Sequence, residues 1–307
     1  MGADPNVLSP EWEWLIMLAL FCAGIASGTY AIMGIMHVAG NERDRAVLDR
    51  LGFVPMVFML ITPILLILDL GEPRRFLNLL FTSGGAAERP GPFMFNPNSP
   101  MTWGSWGMVL FAPFTLVAFL ESLRRVRGMR IPLVGALSGN LVWLGVGELL
   151  ALTVSAYSGI LINVTNQGIW SDTYLMGGLF IVFSELSGVA VAAIIAGWTR
   201  SSYTGAAVRG VMFASALVGA VLLALFLGNL AAVGDLAPLA TSLLVGPVFW
   251  IGGVGIALLL PIVTTGPVGI RVWQRTDQLM VLGALVLLGV LAFRYAAFYS
   301  AIAFLEH

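Results

Sequence analysis

Apolar residues run along this chain in long blocks separated by short polar breaks. Eight blocks stand out, near residues 14–38, 46–69, 101–123, 133–157, 173–199, 207–230, 238–263 and 277–304. Each has roughly the 20 residues that an α-helix needs to cross a bilayer. None alternates strictly between apolar and polar positions, and in hydrocarbon a helix satisfies its own backbone hydrogen bonds. The pattern predicts an all-α, polytopic membrane bundle of eight transmembrane helices. No stretch is polar enough for a separate soluble domain, so residues 1–307 read as a single integral membrane domain.

Composition agrees: 59% of the residues are hydrophobic and 10% are charged, against roughly 25% charged in soluble domains. The opening Met1-Gly-Ala-Asp-Pro-Asn6 is acidic and lacks the basic lead of a signal peptide, so the first span is expected to be retained. All fifteen basic side chains are arginine. Eleven of them fall after the first, third, fifth and seventh blocks: Arg43, Arg45 and Arg50; Arg124, Arg125, Arg127 and Arg130; Arg200 and Arg209; Arg271 and Arg275. That bias predicts a cytoplasmic location for those connections. Both termini and the connection 70–100 are then expected outside the cytoplasm.

The inventory of metal ligands is short. Cys22 is the single cysteine, which rules out a disulfide within the chain and a cluster held by its own cysteines. The two histidines, His37 and His307, lie at opposite ends of the sequence and on opposite sides of the predicted membrane, unlike a facing pair that holds haem. No haem or iron–sulfur cluster is expected in this chain, and no metal ligands are assigned. A redox role would rest on a diffusible cofactor and a partner protein. The pairs Gly24/Gly28 and Gly135/Gly139 have the small-xxx-small spacing that lets membrane helices approach closely. No clear internal repeat is visible.

The polar chemistry is concentrated between the second and third blocks. Asp69-Leu-Gly-Glu-Pro-Arg-Arg-Phe76 is followed by Phe95-Asn-Pro-Asn-Ser-Pro-Met-Thr-Trp-Gly-Ser-Trp-Gly107. These stretches, together with Gly24-Ile-Ala-Ser-Gly28, Tyr157-Ser-Gly-Ile-Leu161, Trp170, Phe249-Trp250 and Arg294-Tyr295, resemble the polysulfide-reductase membrane subunit family, the NrfD/PsrC type. The resemblance covers essentially the whole chain, and the order and spacing of the motifs carry it. It implies a helix bundle in the bacterial cytoplasmic membrane that exchanges electrons between the quinone pool, menaquinone or ubiquinone, and a peripheral [4Fe–4S] subunit on the outer face. A molybdopterin catalytic subunit often completes such a complex. A larger quinol-oxidising complex that feeds cytochromes is an alternative within the family. One departure is the outer half of the first span, Trp14-Leu-Ile-Met-Leu-Ala-Leu-Phe21, where some relatives carry polar side chains.

A site that exchanges electrons and protons with a quinone needs a hydrogen-bonding group at a quinone oxygen, an apolar slot and a proton route. Tyr157, near the outer end of the fourth span, is the leading candidate to hold an oxygen; its other reading is an interfacial tyrosine. Asp69 ends the second span on the same side. It is a candidate proton acceptor, or the partner of Arg74 or Arg75, or a cap for a short helix begun by Pro73. Arg294 lies about 17 residues into the eighth span, close to the outer interface, where it would snorkel outward or pair with an acid such as Asp69.

Glu148 and Glu185 are the acids nearest mid-membrane and are each expected to be protonated or hydrogen-bonded there. With Thr153, Ser184 and Ser187 they form a candidate proton path, or else they bond neighbouring helices as neutral packed acids. Nine residues separate Glu148 from Tyr157, which places them on opposite faces of one helix. Arg74, Arg75, Asn96, Asn98 and Trp103, in a connection stiffened by Pro90, Pro92, Pro97 and Pro100, form a candidate docking surface or a solvated loop with an interfacial tryptophan. A different class, a secondary transporter or proton channel, would use Glu148 and Glu185 as coupling acids. Pro247 and Pro261 interrupt the seventh block as its broken helices would, but no matching pair occurs elsewhere.

Overall fold

The computed structural model of the chain describes residues 14–40, 44–80, 99–164, 170–171, 173–233, 246–266 and 275–305. Helices α1 (Trp14–Ala39), α2 (Arg45–Leu51), α3 (Phe53–Asp69), α4 (Leu77–Leu80), α5 (Pro100–Arg127), α6 (Pro132–Ser138) and α7 (Leu141–Asn163) make up the first part. The second part holds α8 (Met176–Trp198), α9 (Ser202–Val233), α10 (Val248–Leu259), α11 (Leu260–Thr265) and α12 (Thr276–Leu305). Among the described residues, eight segments are long and apolar enough to span a membrane, with α2–α3 and α10–α11 each serving as one. The chain is therefore a multi-pass membrane protein, as the apolar blocks predict. Residues 238–245, expected in the seventh span, lie outside the described residues.

Helix ends follow local chemistry. Ser99 accepts a hydrogen bond from the Thr102 N–H, and Pro100 occupies the first turn of α5, where its missing N–H costs nothing. Gly128, at φ +67°, closes α5 in the left-handed conformation that glycine adopts without strain. The Asn140 Oδ1 accepts from the N–H groups of Val142 and Trp143 at 2.8 and 3.1 Å to open α7. Helix α5 runs four residues further than its apolar block. Arg124, Arg125 and Arg127 thus belong to its last turn, where cations suit the helix dipole.

The seventh span departs from expectation. Pro261 does not break it, since α10 is wound as a π-helix and passes into α11. The Leu260 N–H reaches the Gly255 carbonyl, five residues back. A proline ring crowds the carbonyl four residues before it, and wider winding is one way a helix accommodates this. Gly252 and Gly253 on this segment lie against Ala292 and Phe293 of α12.

The spans form two rings of four. Helix α1 packs on α3, α3 on α5, α5 on α7, and α7 back on α1. In the same order, α8 packs on α9, α9 on α10–α11, α10 on α12, and α12 back on α8. The rings meet where α8 packs on α1 and α7, and α1 and α8 are the most enclosed helices. A Cβ on Gly28 would overlap the Ser184 carbonyl, and one on Gly188 would overlap the Gly28 carbonyl. At this level the two backbones touch directly, with no side chain between them. The pattern Gly24-x-x-Ser27-Gly28 on α1 faces Ser184-x-x-Ser187-Gly188 on α8. The equivalent helices of the two rings thus share a small-residue face, a likeness too short to stand out as a repeat in the sequence.

The opposite surfaces of the lipid-facing helices are apolar: Leu60, Ile64, Leu149, Val221, Leu225 and Leu288 are all exposed on the isolated chain. Gly28→Ala and Gly188→Ala are expected to destabilise the chain by about 1–3 kcal/mol each through overpacking. Gly145→Ala, where an added Cβ meets open space, should be neutral. Thermal unfolding of the purified protein in detergent checks all three.

Candidate functional site

Three polar features occupy successive levels of the bundle. The first lies at the end away from the arginine-rich connections, where α7 meets α5 and α8. Tyr157 is half-buried, and its ring fills the space that a side chain at position 104 would take, so Gly104 of the Trp103-Gly-Ser-Trp-Gly107 run is a notch for the Tyr157 ring. Gly159 lies against the backbone of Met176 and Gly177, so α7 is clamped to the start of α8 two residues beyond the tyrosine. Between them the Ser158 hydroxyl is buried and has no hydrogen-bond partner among the described residues. The Tyr-Ser-Gly run thus divides three functions among three residues. The tyrosine sets a ring on α5, the serine holds a buried hydroxyl, and the glycine makes a backbone contact on α8.

Supports around this notch were not visible in the sequence. The Asn163 Nδ2 donates to the carbonyls of Trp170 and Thr173, and the buried Trp170 Nε1 donates to the Ala297 carbonyl at 2.7 Å, fixing the α7–α8 connection to α12. The Trp106 Nε1 donates to the Leu80 carbonyl at 2.9 Å and holds α4 against α5. Arg74 and Arg75 are exposed on the short 3₁₀ turn Pro73–Phe76 at this end, and Trp103 is half-exposed one residue before the notch. Asp69 ends α3 at the same end. Asn96 and Asn98 lie outside the described residues.

Arg294 forms the second feature, and its placement corrects the sequence expectation. The side chain neither snorkels nor pairs with Asp69: the residue is 1% exposed, its Nη1 donates to the Leu20 carbonyl at 3.0 Å, and its Nη2 donates to the Ser184 hydroxyl at 2.9 Å. The guanidinium also stands 4.8 Å from the centre of the Phe180 ring. A Cβ at position 24 would overlap it, so Gly24 is the space that admits the guanidinium. Phe293, next to it, stacks on Phe183 at 3.7 Å with 5° between planes. The sequence placed Arg294 by depth alone, but the rotation of α12 turns it into the junction of α1 and α8. A charge at the bilayer centre costs about 2.5–3.5 kcal/mol on insertion scales. Two charge-assisted hydrogen bonds at about 1.5–3 kcal/mol each, with the aromatic face, work against that cost, while the buried Nε has no partner among the described residues.

The third feature lies toward the arginine-rich end. The Glu148 carboxylate rests against Gly34 of α1, where an added Cβ would overlap it, and the Tyr30 ring rests in the same way against Gly147. Oε1 of Glu148 is buried without a hydrogen-bond partner among the described residues. Glu185, on α8, is near enough for the two carboxylates to interact electrostatically. Beyond Tyr30 the cluster Asp49, Glu121, Arg124 and Arg125 closes the end of the ring. The Glu121 carboxylate accepts from Arg124 at 2.7 and 2.8 Å and from Arg125, which also lies 3.5 Å from Asp49.

Glu185 feels the Glu148 carboxylate electrostatically, with no hydrogen bond between them, and Tyr157 meets α5 at Gly104 while Glu148 meets α1 at Gly34, on the opposite face of α7 that nine-residue spacing predicts. The structure records no contact among Tyr157, Asp69 and Arg294. The path expected through Thr153, Ser184 and Ser187 has a different local order. The hydroxyls of Thr153 and Ser187 each donate to the carbonyl four residues earlier, and Ser184 both donates to Phe180 and accepts from Arg294. Ser155 and Ser27, by contrast, are joined hydroxyl to hydroxyl at 2.8 Å between α7 and α1. Among the described residues no three His, Cys, Asp or Glu side chains gather as a metal-ligand set.

Comparison with known proteins gives a consistent result. The polysulfide reductase C subunit of Wolinella succinogenes is 25% identical over 308 residues, spanning 94% of this chain and 93% of that protein. The family model of the NrfD polysulphide reductases matches residues 5–306. With nearly the whole length matched and the motif residues gathered at the α1–α8 junction and the α5–α7 notch, the chain belongs to the NrfD polysulphide reductase family.

Proposed function

We propose that this chain is the quinone-reactive membrane subunit of a respiratory oxidoreductase complex in the bacterial cytoplasmic membrane, with its arginine-rich end facing the cytoplasm. It exchanges electrons between the quinone pool and a peripheral iron–sulfur subunit seated on the opposite face, with a molybdopterin subunit beyond it. Family membership supports a membrane subunit of a redox complex. The observation that carries the finer reading is the notch between α5 and α7. There a tyrosine ring lies on Gly104, and the next residue on α7, Ser158, carries a buried hydroxyl without a partner among the described residues.

The residues present fit a quinone headgroup in kind. A quinone carries two carbonyl oxygens and supplies two-electron, two-proton chemistry when bound. Tyr157 and Ser158 offer hydroxyls that donate or accept. The apolar faces of α5 and α7 border the notch, and exposed Leu110, Leu152 and Ile160 continue toward lipid. Asp69 ends α3 at the same end of the bundle and is, in this reading, the residue that takes up or releases a proton there. Arg294 is enclosed, so its part is electrostatic. It fixes a positive charge between α1 and α8, the two helices that also pack on α7. Glu148 and Glu185 hold exchangeable protons deeper in the bundle.

Partner docking follows from the surface at the same end. Arg74 and Arg75 project from a short turn whose position is fixed through α4 and Trp106, so two guanidinium groups and the half-exposed Trp103 lie on a supported platform. Charged groups of this kind set association rate and register on a partner surface of opposite sign.

Tyr157→Phe is expected to lower quinol-dependent electron transfer by about tenfold, the worth of one hydrogen bond of about 1–1.5 kcal/mol. The amount of assembled complex should be unchanged. Turnover at the wild-type rate would remove Tyr157 from the site. Arg74→Ala combined with Arg75→Ala is expected to reduce co-purification of the iron–sulfur subunit, with the deficit relative to wild type largest at low salt and shrinking as salt is raised. Pull-down at two ionic strengths reads this out. Recovery of cytochromes in place of an iron–sulfur subunit would assign the chain to the larger quinol-oxidising type of complex.

A further inference from the structure

A cavity of about 60 Å³ opens at the arginine-rich end between α1, α2, α5, α6 and α7. Its mouth carries Asp49, Glu121 and Arg125, and His37 and Trp143 line its wall. Its floor is Tyr30 and Gly34, the same glycine against which the Glu148 carboxylate rests. The cavity therefore ends one glycine away from a buried acid.

Two buried polar atoms mark the route. The Nε1 of Trp143, a donor, and Oε1 of Glu148, an acceptor when ionised, both lack hydrogen-bond partners among the described residues. They lie five residues apart on α7, roughly one turn and a half along the helix. Buried polar atoms are rarely left unsatisfied, and when protein offers no partner, water does so if there is room. Water needs about 10–15 Å³ of such space per molecule, so the cavity has room for a few of them. Gly34 is the enabling residue, because any side chain there would occupy the place of the carboxylate and close the floor.

We propose that this cavity is a water-filled proton entry that joins the aqueous phase at the arginine-rich end to Oε1 of Glu148. A hydronium in the cavity gives its proton to the carboxylate oxygen, forming the O–H bond there and leaving water behind. The charged and titratable groups facing the route are His37 and Tyr30 on α1, Asp49 on α2, and Glu121 and Arg125 on α5. Glu185 on α8 interacts with Glu148 from the far side. The mouth groups are largely bonded to one another, which fixes its rim, whereas Glu148 has no ion pair among the described residues. This deepens the proton role proposed above for Glu148 and Glu185 and stands apart from the quinone notch at the opposite end.

The experiment uses the full chain in detergent with Cys22, its one cysteine, replaced by serine. The infrared carboxylic band that vanishes in Glu148→Gln reports the Glu148 proton, and transfer into D₂O gives its exchange rate. Ser138→Cys places a thiol on the cavity lining, and Leu133→Cys places one on the lipid-exposed face of the same short helix. Coupling a bulky maleimide at position 138 is expected to slow exchange of that band by roughly tenfold or more, a rise in barrier of at least about 1.4 kcal/mol. The same label at position 133 should leave the rate alone. Equal exchange with and without the label at 138, equal slowing by both labels, or no band that depends on Glu148 would each overturn the proposal. The measurement uses neither quinone nor partner subunit, so its failure leaves the quinone reading standing, and the Tyr157→Phe result leaves this one standing.

Discussion

The backbone contact of α1 and α8 at Gly28 and Gly188 is the constraint from which the rest of the arrangement follows. With no side chain between the helices, neither can slide or rotate without a clash of main-chain atoms. That fixes the rotation of both. Gly24 and Ser184, one turn away, are then turned toward α12, and Ser27 toward α7, where it meets Ser155. The two four-helix rings are joined through the same contact. In a bilayer, where lipid tails are as apolar as the helix surfaces, close packing and interhelical hydrogen bonds supply the association that hydrophobic burial supplies in water.

Arg294 is admitted only because of this geometry. Gly24 gives it room, the Leu20 carbonyl and Ser184 hydroxyl take two of its donors, and Phe180 covers it. A larger residue at position 24 would overlap the guanidinium and push it off these partners. The Gly-x-x-x-Gly spacing thus does more than bring helices together: its first glycine makes the pocket for the cation, and its second makes the crossing.

How much of this the sequence discloses depends on which physical quantity each feature needs. Span number, order and approximate limits depend on length and apolarity alone, and Trp14–Ala39 or Met176–Trp198 could be read directly. Opposite faces for Tyr157 and Glu148 need only the helical repeat. The environment of Arg294 needs the rotation of α12 relative to two other helices, which no local pattern encodes in a helix apolar on all sides. Trp170 illustrates the same limit: in sequence it stands alone just before an apolar block, whereas its indole N–H is spent on Ala297, far along the chain. Glu121 went unread because its block seemed to end among loop arginines. The α5 helix continues to Arg127 and converts Arg124 and Arg125 into its own i+3 and i+4 partners.

The placement of charge within the bundle has its own logic. Ser184 and Glu185 are adjacent on α8, yet consecutive residues on a helix point about 100° apart. The serine turns to Arg294, and the acid interacts with Glu148 on α7. An ion pair between Arg294 and Glu185 would have satisfied both groups at once, and a paired carboxylate in a low-dielectric interior gives up its charge reluctantly. Because Ser184 and Glu185 point to different faces of α8, the guanidinium of Arg294 bonds neutral oxygens through Nη1 and Nη2, its Nε has no partner among the described residues, and the acid lies on another face. The split follows from a single residue step on α8, and it keeps the guanidinium and the carboxylates in separate surroundings.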